Sequence, residues 1–308
     1  MTRSVYYAAF GAPDTLTVGD VEPMPMGPDC VRVAVAGAGI NPVDYKIGLG
    51  YLAGAIETFF PLVTGWDVAG TVTEAGPAVH ALTVGDRVYG YARMDVVKHG
   101  TAAEQVVLPD RLLAPAPESV DLVTAAAVPL TGLTALQLVQ RMEIVPGEVV
   151  LVHNAAGGVG QFAVQLARLA GARVIGTASV RNHDHLRALG VEPVEYGEAL
   201  VEQVGELAPE GVDVVLDLVG GGALDQSDGL LADAGRVGSI ADGAGALARG
   251  GAYVFVRPSS AGLAELAGLI DAGQLSVDVA GTYPLDQAVA AYERLQEGHV
   301  RGKLVLVP

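Results

Sequence analysis

The chain has 308 residues, of which 51% are apolar and 17% charged, with a formal charge of −17 and a single cysteine. That length suits one large domain or two ordinary ones with substantial cores. Cys30 alone excludes an internal disulfide and any one-chain zinc site that needs two or more thiolates. So acidic a chain lacks the basic footprint that nucleic-acid binding requires. No apolar run reaches membrane-spanning length without Gly, Pro or a charge, and residues 1–7 carry no signal-peptide core. A cytoplasmic protein with no membrane or nucleic-acid partner is the expectation.

The first third reads as short strands and turns. Thr15-Leu16-Thr17-Val18 and Val31-Arg32-Val33-Ala34-Val35 alternate as half-buried strands do, and further β-type runs follow at 68–73, 87–90 and 103–107, punctuated by Gly and Pro. Residues 1–122 are therefore predicted to form a mostly β domain. The pattern then changes. Helices are predicted at 124–128 and 134–142, followed by Val/Ile/Leu-rich strands at 149–152, 173–177, 212–217, 236–240 and 253–256. Helices at 161–169 and 183–189 lie between them. Near-continuous apolar strands between helices indicate a parallel sheet covered on both faces, here over 123–257. The tail, 258–308, predicts a helix at 261–272, a strand segment at Gly273-Gln274-Leu275, a helix at 285–298 and a last strand at 303–307. It is too short for a domain and is expected to return to complete the β domain and its interface.

The most informative stretch is Val149-Val150-Leu151-Val152-His153-Asn154-Ala155-Ala156-Gly157-Gly158-Val159-Gly160-Gln161, a strand running through a small-residue turn into a helix. Against G-x-G-x-x-G, Ala155 replaces the first glycine. Gly157 lets backbone approach a pyrophosphate, and Gly160 lets helix and strand pack closely. Helix N–H groups and the helix dipole then favour phosphate charge. Ala156, Gly157, Gly158, Val159 and Gly160 are the expected contacts. A site for NAD places an Asp or Glu about 20 residues on, against the ribose 2′-hydroxyl. Here Gly176-Thr177-Ala178-Ser179-Val180-Arg181 holds no carboxylate, whereas Ser179 and Arg181 suit a 2′-phosphate. NADPH is the predicted cofactor.

With these features in hand, the whole chain resembles the zinc-independent quinone oxidoreductase and enone reductase branch of the medium-chain dehydrogenase/reductase superfamily. The marks are Asn41-Pro42-Val43-Asp44-Tyr45-Lys46, Gly65-Trp66-Asp67-Val68-Ala69-Gly70, Gly85-Asp86-Arg87-Val88, Thr131-Gly132-Leu133-Thr134-Ala135-Leu136, the glycine turn itself and Arg301-Gly302-Lys303. The resemblance implies an α/β chain with a GroES-like substrate domain and a Rossmann domain, a homodimer, and reduction of quinones, enones, alkenals or enoyl thioesters. It places Asn41 and Thr131 near the nicotinamide, and Ser179, Arg181 and Tyr196 around the 2′-phosphate. Val219 and Ile240 fall at strand ends on the cofactor side, and Phe255 and Val256 at the nicotinamide end. Relatives more often carry lysine near 181. Leu49, Tyr51, Leu52, Ile56, Phe59 and Phe60 are the implied apolar lining of the substrate pocket.

Zinc-dependent relatives carry a cysteine near Asn41 and Gly-His-Glu where this chain has Gly65-Trp66-Asp67. The six histidines show no HExxH arrangement, so no metal is expected. The expected reaction is hydride delivery to a quinone or to the β-carbon of an α,β-unsaturated carbonyl, with donors aimed at the developing oxyanion. Asn41-Pro42 reads as a helix cap and first turn, which sets Tyr45 and Lys46 one turn on. Asn41, Lys46 as the carbonyl contact and Tyr45 as a proton donor are the catalytic candidates, while Asp44 and Asp67 read as structural. Two other readings share these residues: an enoyl reductase dedicated to one pathway, and a non-catalytic NADP(H)-binding redox sensor. Hydrolytic and NTPase readings fail, because neither a G-x-S-x-G elbow nor a Walker loop is present.

Overall fold

A computed structural model describes all 308 residues. The chain divides into two compact units, Met1–Leu133 with Arg257–Gly273 and Val277–Pro308, and Thr134–Val256 with Gln274–Ser276. No helix is long and apolar enough to cross a membrane.

The first unit is built on the long strand Cys30–Ile40. Its sheet runs in the order Leu113–Pro115, Arg87–Tyr91, Asp67–Ala75, Cys30–Ile40, Lys303–Val307, Val279–Pro284, and Gln105–Pro109 also pairs with the central strand. The inward faces supply Val31, Val33, Ile40, Val68, Val72, Val88, Leu304 and Leu306, which pack with Tyr292 from the helix Ala288–Gln296. At Gly39 backbone and side chains crowd closely. An added Cβ would lie 2.4 Å from Ala126 O and 3.1 Å from the Asp67 side chain, so only glycine lets that carboxylate sit against the central strand.

The second unit is a six-stranded parallel sheet in the order Glu192–Val194, Arg173–Thr177, Val149–Val152, Val212–Asp217, Leu231–Ser239, Ala252–Tyr253. By chain position this is 3-2-1-4-5-6, the dinucleotide-binding order, in which ligands take the crevice at the carboxyl ends where the order reverses. Leu151, Ile175, Val212, Val215 and Val237 are all at most 2% exposed, as strands covered on both faces require.

Two expected strands end differently. The 253–256 strand is only Ala252–Tyr253, because its neighbour stops at Ser239, where the chain turns; Val254 makes the last bond, to Ser239 O. The segment 273–275 forms no strand. Ser276 instead donates its backbone and side-chain hydrogens to Gln165 Oε1, at 2.8 and 3.0 Å, and the strand expected there begins at Val279. Helix Pro129–Arg141 starts earlier than the apolar pattern indicates, since Pro129 suits a first turn. Leu122–Ala125 likewise begins earlier, where Asp121 caps Thr124 N–H at 2.7 Å.

At Gly160 a Cβ would lie 2.2 Å from Asn154 O and 2.5 Å from Ala155 O, both backbone atoms that cannot swing aside. Gly160→Ala should therefore destabilise the protein by ~1–3 kcal/mol, the usual range for overpacking. Urea denaturation measures it, and an unchanged midpoint would refute the close-packing role.

Candidate functional site

In the second unit the carboxyl ends of adjacent strands line up. After Val149–Val152 the chain enters the turn 153–159, and helix Gly160–Leu169 begins. Asn154 adopts φ +58, and its N–H donates to Thr177 Oγ1 at 3.0 Å, while Ala155 N–H donates to Thr177 O at 2.9 Å. The turn is thus fastened to the end of the neighbouring strand. Gly157 turns the chain back: its N–H donates to Asn154 O at 3.0 Å, and a Cβ there would press on the Asn154 amide at 2.8–3.0 Å. Ala156 and Gly157 are buried, whereas Gly158 and Val159 are half-exposed.

The next strand end carries the residues expected around a 2′-phosphate. Thr177 pairs in register with Val194, and Ala178 N–H donates to Val194 O, which sets Ser179 and Tyr196 on the same edge, each two residues past its strand. Ser179 is half-buried, its hydroxyl taking the Asn182 amide at 3.3 Å, and Arg181 and Tyr196 are exposed. These features fit a nicotinamide dinucleotide. Glycine removes side-chain bulk where a pyrophosphate would approach, and residues 176–181 carry a hydroxyl and a cation without a carboxylate.

On the other side of Val149–Val152, Asp217 organises the loops that bear Val219 and Ile240. The carboxylate is fully buried. It accepts Val219 and Gly220 N–H at 3.0 and 2.8 Å through Oδ1, and the Ser239 hydroxyl at 2.7 Å through Oδ2. Ser239 Oγ in turn accepts Ala241 and Asp242 N–H at 3.0 and 2.7 Å. One carboxylate and one hydroxyl thereby satisfy four backbone donors and hold two turns together. Val219 and Phe255 are exposed, Ile240 half-buried and Val256 buried. Sequence reading missed this pair. Its signal was an Asp closing one apolar strand opposite a Ser closing the next, joined by the register Asp217↔Ser239. Nearby, burial lowers the His153 imidazole below its ordinary value, and its Nε2 lies 2.7 Å from Ser227 Oγ.

Asn41, Tyr45, Lys46 and Thr131 belong to the first unit. Asn41 occupies the N-cap of helix Pro42–Gly48, but its amide is engaged elsewhere: Nδ2 donates to Asp67 Oδ2 at 2.9 Å and Oδ1 accepts from Lys303 Nζ. The helix start is held by Asp44, whose Oδ2 accepts Asn41 N–H at 2.7 Å. Asp67 Oδ1 accepts Leu130 N–H at 2.6 Å, so the same carboxylate holds the first turn of helix Pro129–Arg141. The Thr131 hydroxyl bonds back to Ala127 O at 3.1 Å, and the residue is buried. Tyr45 is half-buried against the core with its phenol raised by burial, whereas Lys46 is exposed. Leu49, Tyr51 and Phe59 are exposed apolar groups on this unit, and Phe60 meets Phe10 edge-to-face at 5.0 Å. Lys303, quoted above only as part of a family mark, is the residue whose place in the site sequence reading missed. Its signal was a lysine following Gly302 at the start of an otherwise apolar strand.

Burial pushes Asp44 up to about 7 from the ordinary 3.8, opposed by the Asn41 N–H and reinforced by Asp67. Folding therefore takes up a proton. This stabilisation is complete below the ordinary carboxyl value and is lost as pH rises through about 7. Melting temperature should fall between about pH 4 and about pH 7, and Asp44→Asn should remove that part of the slope; an unchanged slope contradicts the assignment. Ser239→Ala leaves two loop N–H groups and Asp217 Oδ2 without the hydroxyl, at an expected cost of ~1–3 kcal/mol read by denaturant melts.

Residues 27–118 match the alcohol dehydrogenase GroES-like domain, and residues 189–306 match the zinc-binding dehydrogenase family. The chain is 39% identical over 302 residues to the spectinabilin polyketide synthase system protein NorB of Streptomyces orinoci; this covers 92% of the chain but spans only 13% of that protein's length. It is 31% identical to the chloroplastic NADPH-dependent alkenal/one oxidoreductase of Arabidopsis thaliana, covering 98% of this chain and 78% of that one. The structure of the quinone oxidoreductase from Coxiella burnetii superposes with a TM-score of 0.88 at 32% identity, covering 100% of this chain and 99% of that one. A GroES-like β unit, a Rossmann sheet and this likeness along the whole length place the chain in the zinc-independent quinone oxidoreductase branch of the medium-chain dehydrogenase/reductase superfamily.

Proposed function

We propose that the protein is a cytoplasmic, homodimeric NADPH-dependent reductase that transfers hydride, without zinc, to a quinone or to the C=C bond of an α,β-unsaturated carbonyl. The observation that carries this reading is the turn 153–160 beside a strand end that offers Ser179 and Arg181 and no carboxylate. Ala156, Gly157, Gly158, Val159 and Gly160 would hold the pyrophosphate, and Ser179, Arg181 and Tyr196 the 2′-phosphate. Val219, Ile240, Phe255, Val256, Asn41 and Thr131 would lie toward the nicotinamide. When bound, the reduced nicotinamide supplies the hydride.

The chain's own part is position and charge. Lys46 is exposed on the helix that Asn41 opens, and it is the candidate donor to the oxygen on which negative charge develops. Tyr45, on the same helix, is the candidate proton donor to the α-carbon. Exposed Leu49, Tyr51 and Phe59 would give the acceptor an apolar wall. Identity to NorB, a polyketide synthase system protein, favours a second reading with the same chemistry: an enoyl reductase dedicated to one biosynthetic assembly.

The test follows cofactor absorbance with a panel of quinones, enones and enoyl thioesters. NADPH should be oxidised in preference to NADH, and Arg181→Ser should weaken NADPH about tenfold while sparing NADH. Lys46→Ala should lower kcat/KM, and an unchanged value removes it from the mechanism. No oxidation with any acceptor, or a preference for NADH, overturns the reading.

A further inference from the structure

Lys303 is 3% exposed, yet all three of its ammonium donors are used: Ile40 O accepts at 2.8 Å, Asp67 Oδ2 at 3.3 Å, and Asn41 Oδ1 takes the third. Asn41 Nδ2 donates to the same Asp67 Oδ2, so Lys303, Asn41 and Asp67 close a three-membered ring of hydrogen bonds. Asp67 is itself pinned at its far ends, with Leu130 N–H on Oδ1 and the Thr101 hydroxyl on its carbonyl at 2.7 Å.

The ring fixes the polarity of Asn41. Turned over, the amide would set its N–H₂ against an ammonium and its oxygen against a carboxylate, which both charges oppose. With Oδ1 facing the ammonium and one Nδ2 hydrogen given to Asp67, the one donor left on Asn41, a residue 1% exposed, is the second Nδ2 hydrogen. Asn41 can therefore serve an acceptor oxygen and is ill-suited to serve a donor. Packing alone does not call for such a ring. Burying an ammonium and a carboxylate gains little stability over apolar side chains of the same volume.

We propose that Lys303 and Asp67 are positioning residues that lock the Asn41 amide as a hydrogen-bond donor toward an acceptor oxygen of the bound reactants. The claim rests on the reading above that Asn41 lies at the nicotinamide end. That oxygen belongs either to a ribose hydroxyl of the cofactor or to the carbonyl of the molecule being reduced, and the two are separable by experiment.

The test compares the full-length wild type with Lys303→Met and with the double variant Asp67→Asn, Lys303→Met. Melting temperature, NADPH affinity without acceptor, and kcat and KM with acceptor are read for each. Lys303→Met should melt well below wild type, because it strands a buried carboxylate. The double variant removes both charges and should regain most of that loss. A merely structural ring predicts that function returns with stability. Locking predicts that the double variant stays at least about tenfold impaired. Impairment in NADPH affinity places the oxygen on the cofactor; impairment confined to kcat or acceptor KM places it on the acceptor. A double variant that binds and turns over like wild type overturns the proposal while leaving the reductase reading intact. So does one that fails to regain its melting temperature, since the ring is then needed for folding itself. A wild type that binds NADPH but reduces nothing refutes the reductase reading, and the affinity comparison still decides the locking. A wild type that neither binds nor oxidises NADPH overturns both.

Discussion

The buried Asp67 carboxylate is the contact on which the first unit's arrangement depends. Desolvation raises its affinity for protons, and the Lys303 ammonium, the Asn41 amide and the Leu130 N–H oppose that rise. Lys303 is in turn pulled below its ordinary value by burial and held up mainly by Asp67. Each group is costly alone and tolerable together, so the pieces of chain that bear them are bound as a set. Those pieces are the central strand's end at Ile40, the helix opening at Pro42, the helix opening at Pro129 and the strand Lys303–Val307. Glycine at 39 is what lets the carboxylate reach this place.

The second unit solves a similar problem with less charge. A strand end must expose backbone donors if the chain is to turn sharply toward a ligand. Asp217 and Ser239 absorb four of them inside the protein, so the turns after two adjacent strands share one anchor. The glycine turn on the neighbouring strand is fastened differently, through Thr177, whose hydroxyl and carbonyl receive Asn154 and Ala155. Three strand ends are thus anchored by local hydrogen bonds, and such anchoring suits a ligand that needs several contacts placed at once.

Much of this was legible in the amino-acid order. Runs such as Val149-Val150-Leu151-Val152 and Val212-Asp213-Val214-Val215-Leu216 have no reading other than covered strands once helices alternate with them. The glycine turn was legible because its spacing carries a steric reason at Gly157 and Gly160. The partners of Asn41 were not. Asp67 lies 26 residues away and Lys303 262 residues away, and no local pattern announces a pairing across such distances. Lys303 in particular looks like an ordinary charged strand opening, since lysine is seldom buried. The strand at 253–256 was over-read because its apolar content indicates burial but not whether the neighbouring strand continues. Ser239 decides that, by turning the chain away.

The closing strand has a consequence for how the molecule is made. Lys303–Val307 pairs antiparallel with Cys30–Ile40, so one half of that ladder is translated long after the other. The central sheet of the first unit, and the ammonium its buried carboxylates require, stay incomplete until Lys303–Val307 emerges. The second unit draws nearly all its residues from one continuous stretch and carries no such delay. Contacts of great sequence separation form late and slowly, which leaves early hydrophobic surface uncovered in the meantime. The second unit can therefore complete its sheet while Cys30–Ile40 still waits for Lys303–Val307.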